Sequence, residues 1–317
     1  MIKKLIMLIN CLVCLSINAH VLIFTTAYNR PDFIELQYKS LLKYLKDDFE
    51  YVVFNDASQA QIHDNIVMTC ESLKIKCISF PQHLHTEPVD LFLKPHIAPH
   101  RHSQVIQYAF DMLGFNHQGI VAVLDADLFL VDNLSITDYM KEYDLAGTEK
   151  NGILWDTFLP TSKYSFLWPV VFFFNMPKLP DRHTMQFATM SFDNHYFDSC
   201  GSLYFYLRDH PSLKIKYFDV VNLNAIPGTS PSGMFSHYHH NPVYYTLNDT
   251  KNRHLLEILN FKEREIKFIQ SGPVNIQYYL ENKFFHYMSA SNYDQKTEDF
   301  HRIKTELFNQ YMKEVLN

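Results

Sequence analysis

Glycine is scarce in this chain, at 8 of 317 residues, whereas phenylalanine and tyrosine number 26 and 20. That balance excludes a protein built on flexible, glycine-rich loops and points to aromatic-rich cores and clefts. Cysteine is also sparse. Cys11 and Cys14 fall in the N-terminal segment, leaving Cys70, Cys77 and Cys200. An odd number with no CxxC pair speaks against a disulfide framework and against a cysteine-type zinc site. Cys70 and Cys77 are near enough in sequence to close one bridge, but three buried thiols is the expected state. Positive charge does not dominate either. The formal net charge is -6 and no run of five like charges occurs, which excludes the broad basic surface that nucleic acid binding needs. There is no internal repeat and no low-complexity tract.

The first nineteen residues stand apart. Met1-Ile2-Lys3-Lys4 is a short basic start, Leu5 to Ile17 is mostly apolar, and Asn18-Ala19 offers a small residue for cleavage. This reads as a secretory signal peptide over 1–19, with placement in a secretory pathway, the periplasm or outside the cell as the expected localisation. The apolar run is shorter than the roughly 20 residues of a spanning helix, so an uncleaved membrane anchor is the second reading. Asn133-Leu134-Ser135 and Asn248-Asp249-Thr250 fit the glycosylation acceptor pattern.

Val21 to Thr25 is an apolar run of strand length. Pro31 suits the first turn of a helix, Asp32 and Glu35 favour its positive end, and Ile34, Tyr38, Leu41, Leu42 and Leu45 draw one apolar face. Tyr51 to Phe54 is a second strand ending in Asn55-Asp56. Ile62, Ile66, Cys70 and Leu73 draw a second helical face, and Ile75 to Phe80 is a third strand. Pro81, Pro88, Pro95 and Pro99 forbid a long regular element between 81 and 100. Val105, Ala109 and Met112 mark a helix, and Ile120 to Leu124 a fourth strand. Val170 to Phe174, Lys216 to Leu223 and Lys283 to Tyr287 are later strand candidates. A last helix uses Phe300, Ile303, Leu307, Tyr311 and Val315. Strand and helix thus alternate over the first half, the pattern of an α/β protein with a mostly parallel sheet flanked by helices. Ligands of such sheets bind at the carboxyl ends of the strands, where Thr25 to Arg30, Asn55-Asp56 and Asp125-Ala126-Asp127 all fall. No linker separates the halves, so residues 20–317 read as one continuous domain.

The sharpest chemical signal is Asp125-Ala126-Asp127, set between apolar runs. Residues two apart in an extended chain point the same way. Two carboxylates pointing together beside a buried strand repel each other and are costly to desolvate. A divalent cation removes both penalties, and Mn²⁺ or Mg²⁺ with one or two carboxylates plus substrate phosphates is a hard-oxygen site. The plainer alternative is a turn with solvated aspartates.

The segment Val121 to Leu134 resembles the DxD region of GT-A-fold glycosyltransferases, a Rossmann-like fold. Phe24 to Arg30 resembles that fold's first strand and nucleotide-binding loop, and Val53-Phe54-Asn55-Asp56 its second strand. The resemblance implies transfer of a sugar from a UDP- or GDP-linked donor to a hydroxyl of a glycan, protein or lipid acceptor. It assigns Asp125 and Asp127 to the metal, with Ala126 beside the donor. Thr25, Thr26, Tyr28, Asn29 and Arg30 fall to the nucleotide, and Asp56 to the base or ribose. His286 looks similar to a late histidine that completes the metal shell in several branches; the alternative is a half-buried strand histidine with one hydrogen bond. Asp198 resembles the carboxylate placed at a helix start that serves inverting members as general base, with Asp193 as substitute and an ordinary N-cap as the alternative. The halves then divide into donor binding over 20–145 and acceptor binding over 146–317.

Three further readings come from the residues themselves. Ser289, Ser291 and Asn292 are placed to contact phosphate oxygens. Arg101 opens a helix behind the proline-rich loop, where it pairs with a phosphate or simply faces solvent. The histidines His83, His85, His96, His100, His102, His237, His239 and His240 supply a rival function, a zinc-dependent hydrolase, although none stands in a helical zinc pattern. A third class is a non-catalytic glycan-binding protein on the same fold.

Overall fold

The computed structural model describes residues 21–86, 97–154, 160–224, 243–245, 252–271, 275–288 and 298–317. The candidate signal segment, Ser289, Ser291, Asn292, His96, His237, His239, His240 and Asn248 lie outside the described residues. No described helix is long and apolar enough to cross a membrane.

The first half alternates as its sequence pattern requires. Strand β1 (Val21–Ala27) leads to helix α1 (Pro31–Tyr44), with Pro31 at its first turn. Strand β2 (Phe49–Asn55), helix α2 (Ala60–Leu73) and strand β3 (Lys76–Ser79) follow. Helix α3 (Ile97–Ala109) then runs through a π turn to strand β4 (Ile120–Leu124). The four strands pair in parallel, in the order β3-β2-β1-β4. Strands β1 and β4 are apolar on both faces because both faces are covered. Val21, Ile23, Ile120, Ala122 and Leu124 enter one core, with α1 and α2, while Leu22, Phe24, Val121 and Val123 enter the other, with α3. Helix α3 begins at Ile97, earlier than expected; Pro99 fits because the first turn of a helix needs no amide hydrogen there.

Beyond β4 the sheet continues with antiparallel neighbours. Strand β5 (Leu128–Leu130) leaves it, and a short helix α4 (Ile136–Tyr139) leads to β6 (Leu145–Leu154), which pairs with the long β7 (Pro160–Asn175). A hairpin of β8 (Met190–Phe192) and β9 (His195–Phe197) closes the edge. Helix α5 (Leu203–Asp209) follows. The strand expected over Lys216 to Leu223 is two strands in different sheets. Strand β10 (Ile215–Tyr217) pairs with β6, and β11 (Val220–Asn224) belongs to a second sheet ordered β12-β11-β13-β14-β5. Its other members are β12 (Val243–Tyr245), β13 (Asn275–Tyr279) and β14 (Phe284–His286).

Helices α6 (Arg253–Ile258), α7 (Glu263–Ser271) and α8 (Glu298–Leu316) complete the chain. Aromatic contacts bind α1 and α8 to the second sheet. Phe33 lies 5.2 Å from both Phe129 and Tyr287, and Phe285 stacks on Phe308 at 5.5 Å. Each fully buried ring of this kind contributes about 1.5–3 kcal/mol. The three described cysteines are free thiols, Cys70 and Cys200 buried and Cys77 only half-buried.

Candidate donor and metal site

The carboxyl ends of β2, β1 and β4 meet at one place. The Asp56 amide donates to the Ala27 carbonyl at 2.8 Å, and Asp125 begins immediately after β4. Beneath that edge, the buried Gln37 of α1 holds the Asp125–Leu128 turn. Its amide nitrogen donates to the Asp125 carbonyl at 2.8 Å and to the Leu128 carbonyl at 2.5 Å, and its oxygen accepts from the Tyr51 hydroxyl at 2.7 Å.

Pairing between the sheets brings His286 to the DxD. Strand β14 sets His286 opposite Leu128, and the Tyr287 amide donates to the Asp127 carbonyl at 2.9 Å. The ligand atoms of Asp125, Asp127 and His286 all lie within 4.8 Å of one another, and this is the metal-capable group found among the described residues. His286 is 4% exposed and Asp127 7%. The His286 ring is oriented by Gln277, its cross-strand partner. Gln277 spends its amide nitrogen on Asn222 Oδ1 and accepts the Tyr279 hydroxyl on its oxygen. That same oxygen meets His286 Nδ1 at 2.9 Å, so Nδ1 is the donor. Nε2 is left to face Asp127 Oδ1 at 3.0 Å, a contact that needs a proton or a cation between the two atoms. Burial and the neighbouring Asp127 raise the Asp125 pKa, opposed by His102, His286 and the Ala126 amide. The donor set is two carboxylates and one oriented imidazole, with a charge conflict that a divalent cation would relieve; the residues fit Mn²⁺ or Mg²⁺.

A second cluster surrounds Asp56. Its Oδ1 accepts from His85 Nε2 at 2.6 Å and Gln82 Nε2 at 3.0 Å, with Arg101 Nη2 at 3.5 Å. Arg101 also donates to Gln82 and lies 5.8 Å over the Tyr28 ring. Arg101 is thus tied to Asp56, in the second turn of α3 and not at its start. At the end of β1 and in the loop after it, Thr26, Asn29 and Arg30 are half-buried and Tyr28 is exposed. Thr25 is fully buried. Arg30 sits 3.6 Å over the Phe33 ring and pairs with Asp32.

Asp198 occupies a third position. The turn into α5 is tight: a Cβ on Gly201 would meet that of Phe197 at 2.2 Å, so only glycine fits. The N-cap of α5 is Ser202, and Asp198 does not cap it. Asp198 instead accepts from buried Lys150 of β6, from the Ser199 amide at 2.8 Å and from the Tyr196 hydroxyl at 3.3 Å. Burial pushes its pKa up, but Lys150 and the amide outweigh that and hold the carboxyl below its usual range. Asp193 stands at the exposed turn of the β8–β9 hairpin, where Asp193 and Asn194 take φ of 49° and 60° as a type I′ turn requires, and it accepts from the Tyr164 hydroxyl.

Among the described residues no cluster of histidines forms a zinc site. Among the described histidines, His85 serves Asp56, His100 meets Thr189 and Gln104, and His83 and His102 join no metal-capable group. Gln37, Gln277 and Lys150 are the site residues that sequence reading passed over. Only its place among the buried positions of an amphipathic helix marks Gln37.

No family model and no curated protein matches the chain. Solved structures match parts of it. The WbbM bifunctional glycosyltransferase in its apo form is 9% identical, with a TM-score of 0.35, over 53% of this chain and 33% of that one. The mannosyltransferase PcManGT from Pyrobaculum calidifontis, in complex with GDP-Man and Mn²⁺, is 11% identical, with a TM-score of 0.39, over 62% and 54%. S. aureus TarS 1–349 in complex with UDP is 15% identical, with a TM-score of 0.38, over 79% and 69%. The chain therefore spans a third to two thirds of these proteins, and likenesses this shallow carry no argument about what it does.

Proposed function

We propose that this protein is a metal-dependent glycosyltransferase that takes a UDP- or GDP-linked sugar as donor and an acceptor hydroxyl as its second substrate. The observation that carries the reading is the convergence of Asp125, Asp127 and His286 at the carboxyl edge of the parallel strands, with His286 Nε2 presented by Gln277. These three residues would hold Mn²⁺ or Mg²⁺. When bound, the cation supplies positive charge against the donor diphosphate, where charge grows as the sugar departs.

The remaining residues divide the work by position. Asp56 keeps Oδ1 occupied by His85, Gln82 and Arg101, while its Oδ2 has no hydrogen-bond partner among the described residues and is available to a base N–H or a ribose hydroxyl. Asp198 belongs to the acceptor side. Three donors already crowd its carboxylate, which suits a fixed negative charge near the reacting sugar; service as a general base would require Lys150 or Tyr196 to yield first. A binding protein on the same scaffold would share the donor pocket and lack turnover. Incubation with UDP-glucose, UDP-N-acetylglucosamine, GDP-mannose and GDP-fucose, with and without Mn²⁺, followed by detection of released UDP or GDP, tests the assignment. Metal-dependent release from at least one donor supports it, and binding without release across a broad acceptor panel favours the binding protein.

A further inference from the structure

Cys70 and Cys77 stand on either side of the turn that folds the end of α2 back onto β3. Lys74 takes a left-handed φ of 57°, and two backbone bonds close the turn. The Lys74 amide donates to the Glu71 carbonyl at 3.0 Å and the Ile75 amide to the Cys70 carbonyl at 3.0 Å. Ile75 is thereby pinned to the helix position that Cys70 occupies. Cys77 follows two residues on, so its side chain leaves the extended chain on the same face as Ile75. Both pack against the core that contains Cys70. The turn thus brings two thiols together, and they hydrogen-bond each other.

The two sulfurs are not equivalent. Cys70 is fully buried, whereas Cys77 is half-buried in β3, the outermost strand of its sheet. The hydrogen bond to Cys77 and burial push the Cys70 pKa up. The same bond brings the Cys77 pKa down, against burial and Glu71. The more accessible thiol is therefore also the readier nucleophile, and the buried one is held against it. Cys200 does not compete, since it lies in the other core. A cysteine that only fills space needs no second sulfur beside it; this arrangement is that of an attacking and a resolving thiol.

We infer that Cys70 and Cys77 are a disulfide-forming pair that clamps the end of α2 to β3 when the protein meets a disulfide oxidant. The Cys77 thiolate attacks one sulfur of the oxidant, a low-molecular-weight disulfide such as glutathione disulfide, and expels its other half as a thiolate. Cys70 then gives up its proton and attacks the Cys77 sulfur, which releases the second thiolate. Two protein thiols are oxidised, one oxidant disulfide is reduced to two thiols, and the two protons pass to these. The pair takes no part in the donor site, and the inference does not rest on the nucleotide-sugar reading.

The experiment equilibrates reduced protein with excess glutathione disulfide, blocks the remaining thiols by alkylation and digests with trypsin without reductant. Trypsin cuts after Lys74 and Lys76, between the two cysteines, so a bridge leaves their peptides joined until dithiothreitol separates them. The joined peptides should dominate the wild-type map, with Cys200 recovered as a free thiol. In Cys70→Ser, Cys77 should stop as a mixed disulfide with glutathione, and in Cys77→Ser the buried Cys70 should take up none. Closing a loop of this length should raise the Tm of wild type by about 2–4 °C, and neither variant should show the rise. If the serine variants do not fold, the wild-type peptide map and Tm decide alone. A mixed disulfide that persists at Cys77 in wild type would overturn the inference. So would a bridge between two chains, a Cys70 and Cys77 that both stay open to alkylation, or a bridge that leaves Tm unchanged and so clamps nothing.

Discussion

Asp125 and Asp198 both stand in crowded surroundings that penalise a negative charge, yet their proton affinities move in opposite directions. Asp125 has another carboxylate, Asp127, as its nearest charge, and its pKa is raised. Asp198 has Lys150, and its pKa is lowered. The difference lies in whether the counter-ion is built into the chain. At Asp198 it is, and the charge is settled before any ligand arrives. At Asp125 and Asp127 it is not, which makes the unliganded site unfavourable; on the proposed reading the offset is left to a cation that arrives with the donor. The first kind of site adds stability; the second holds back stability so that binding can supply it.

The contrast breaks most completely at Asp127. Asp127→Ala should abolish both metal-dependent nucleotide binding and sugar transfer, read by calorimetry and product detection; retained metal-dependent binding would place the cation elsewhere. At the other station, Lys150→Met leaves Asp198 charged and uncompensated. It should lower stability by about 3–5 kcal/mol in a denaturant titration at pH 7, with Lys150→Met/Asp198→Asn recovering much of the loss. The sign with pH follows. In wild type the depressed Asp198 carboxyl contributes stability above its unfolded pKa near 4, and this is lost as pH falls through the lower folded value. In Lys150→Met that contribution is gone, so the gap between the two proteins should narrow below pH 4.

Asp198→Asn sharpens the comparison without emptying the donor site. Turnover should fall roughly 100-fold while the nucleotide-dependent melting shift stays. Full activity would leave Asp198 as a structural anchor for the α5 turn. The smallest effect belongs to Asp125→Asn in metal-free protein. A carboxyl whose folded pKa is raised destabilises the native state once pH exceeds the unfolded value, so removing it should raise Tm at pH 7 by about 2 °C. The gain should vanish toward pH 3.5, and Mn²⁺ should no longer shift the variant as it shifts wild type. A Tm gain that persists at pH 3.5 would mean that charge is not its cause.

The first half was legible because its elements obey simple periods. The apolar runs at Val21, Tyr51 and Ile120 became β1, β2 and β4, Pro31 marked the start of α1, and Asp125-Ala126-Asp127 fell at the end of a buried strand as its spacing implied. The second half hides its signals. Thr148-Glu149-Lys150-Asn151 holds no apolar residue, yet all four residues are buried in β6. The charge of Lys150 answers to Asp198, distant in sequence, and no local period can show that. Gln277 is similar, because it takes its meaning from a strand partner in the second sheet. His286 was found by resemblance; what fixes its ring is a cross-strand partner that the resemblance did not include.

The central claim is that the counter-ion missing from Asp125 and Asp127 is a divalent metal that bridges them to a nucleoside diphosphate. Thermal unfolding of metal-stripped wild-type protein with UDP and with GDP, each in EDTA and in Mn²⁺, tests it most directly. The account predicts a rise in Tm with at least one nucleotide in Mn²⁺ and none in EDTA, and equal stabilisation in EDTA would contradict it.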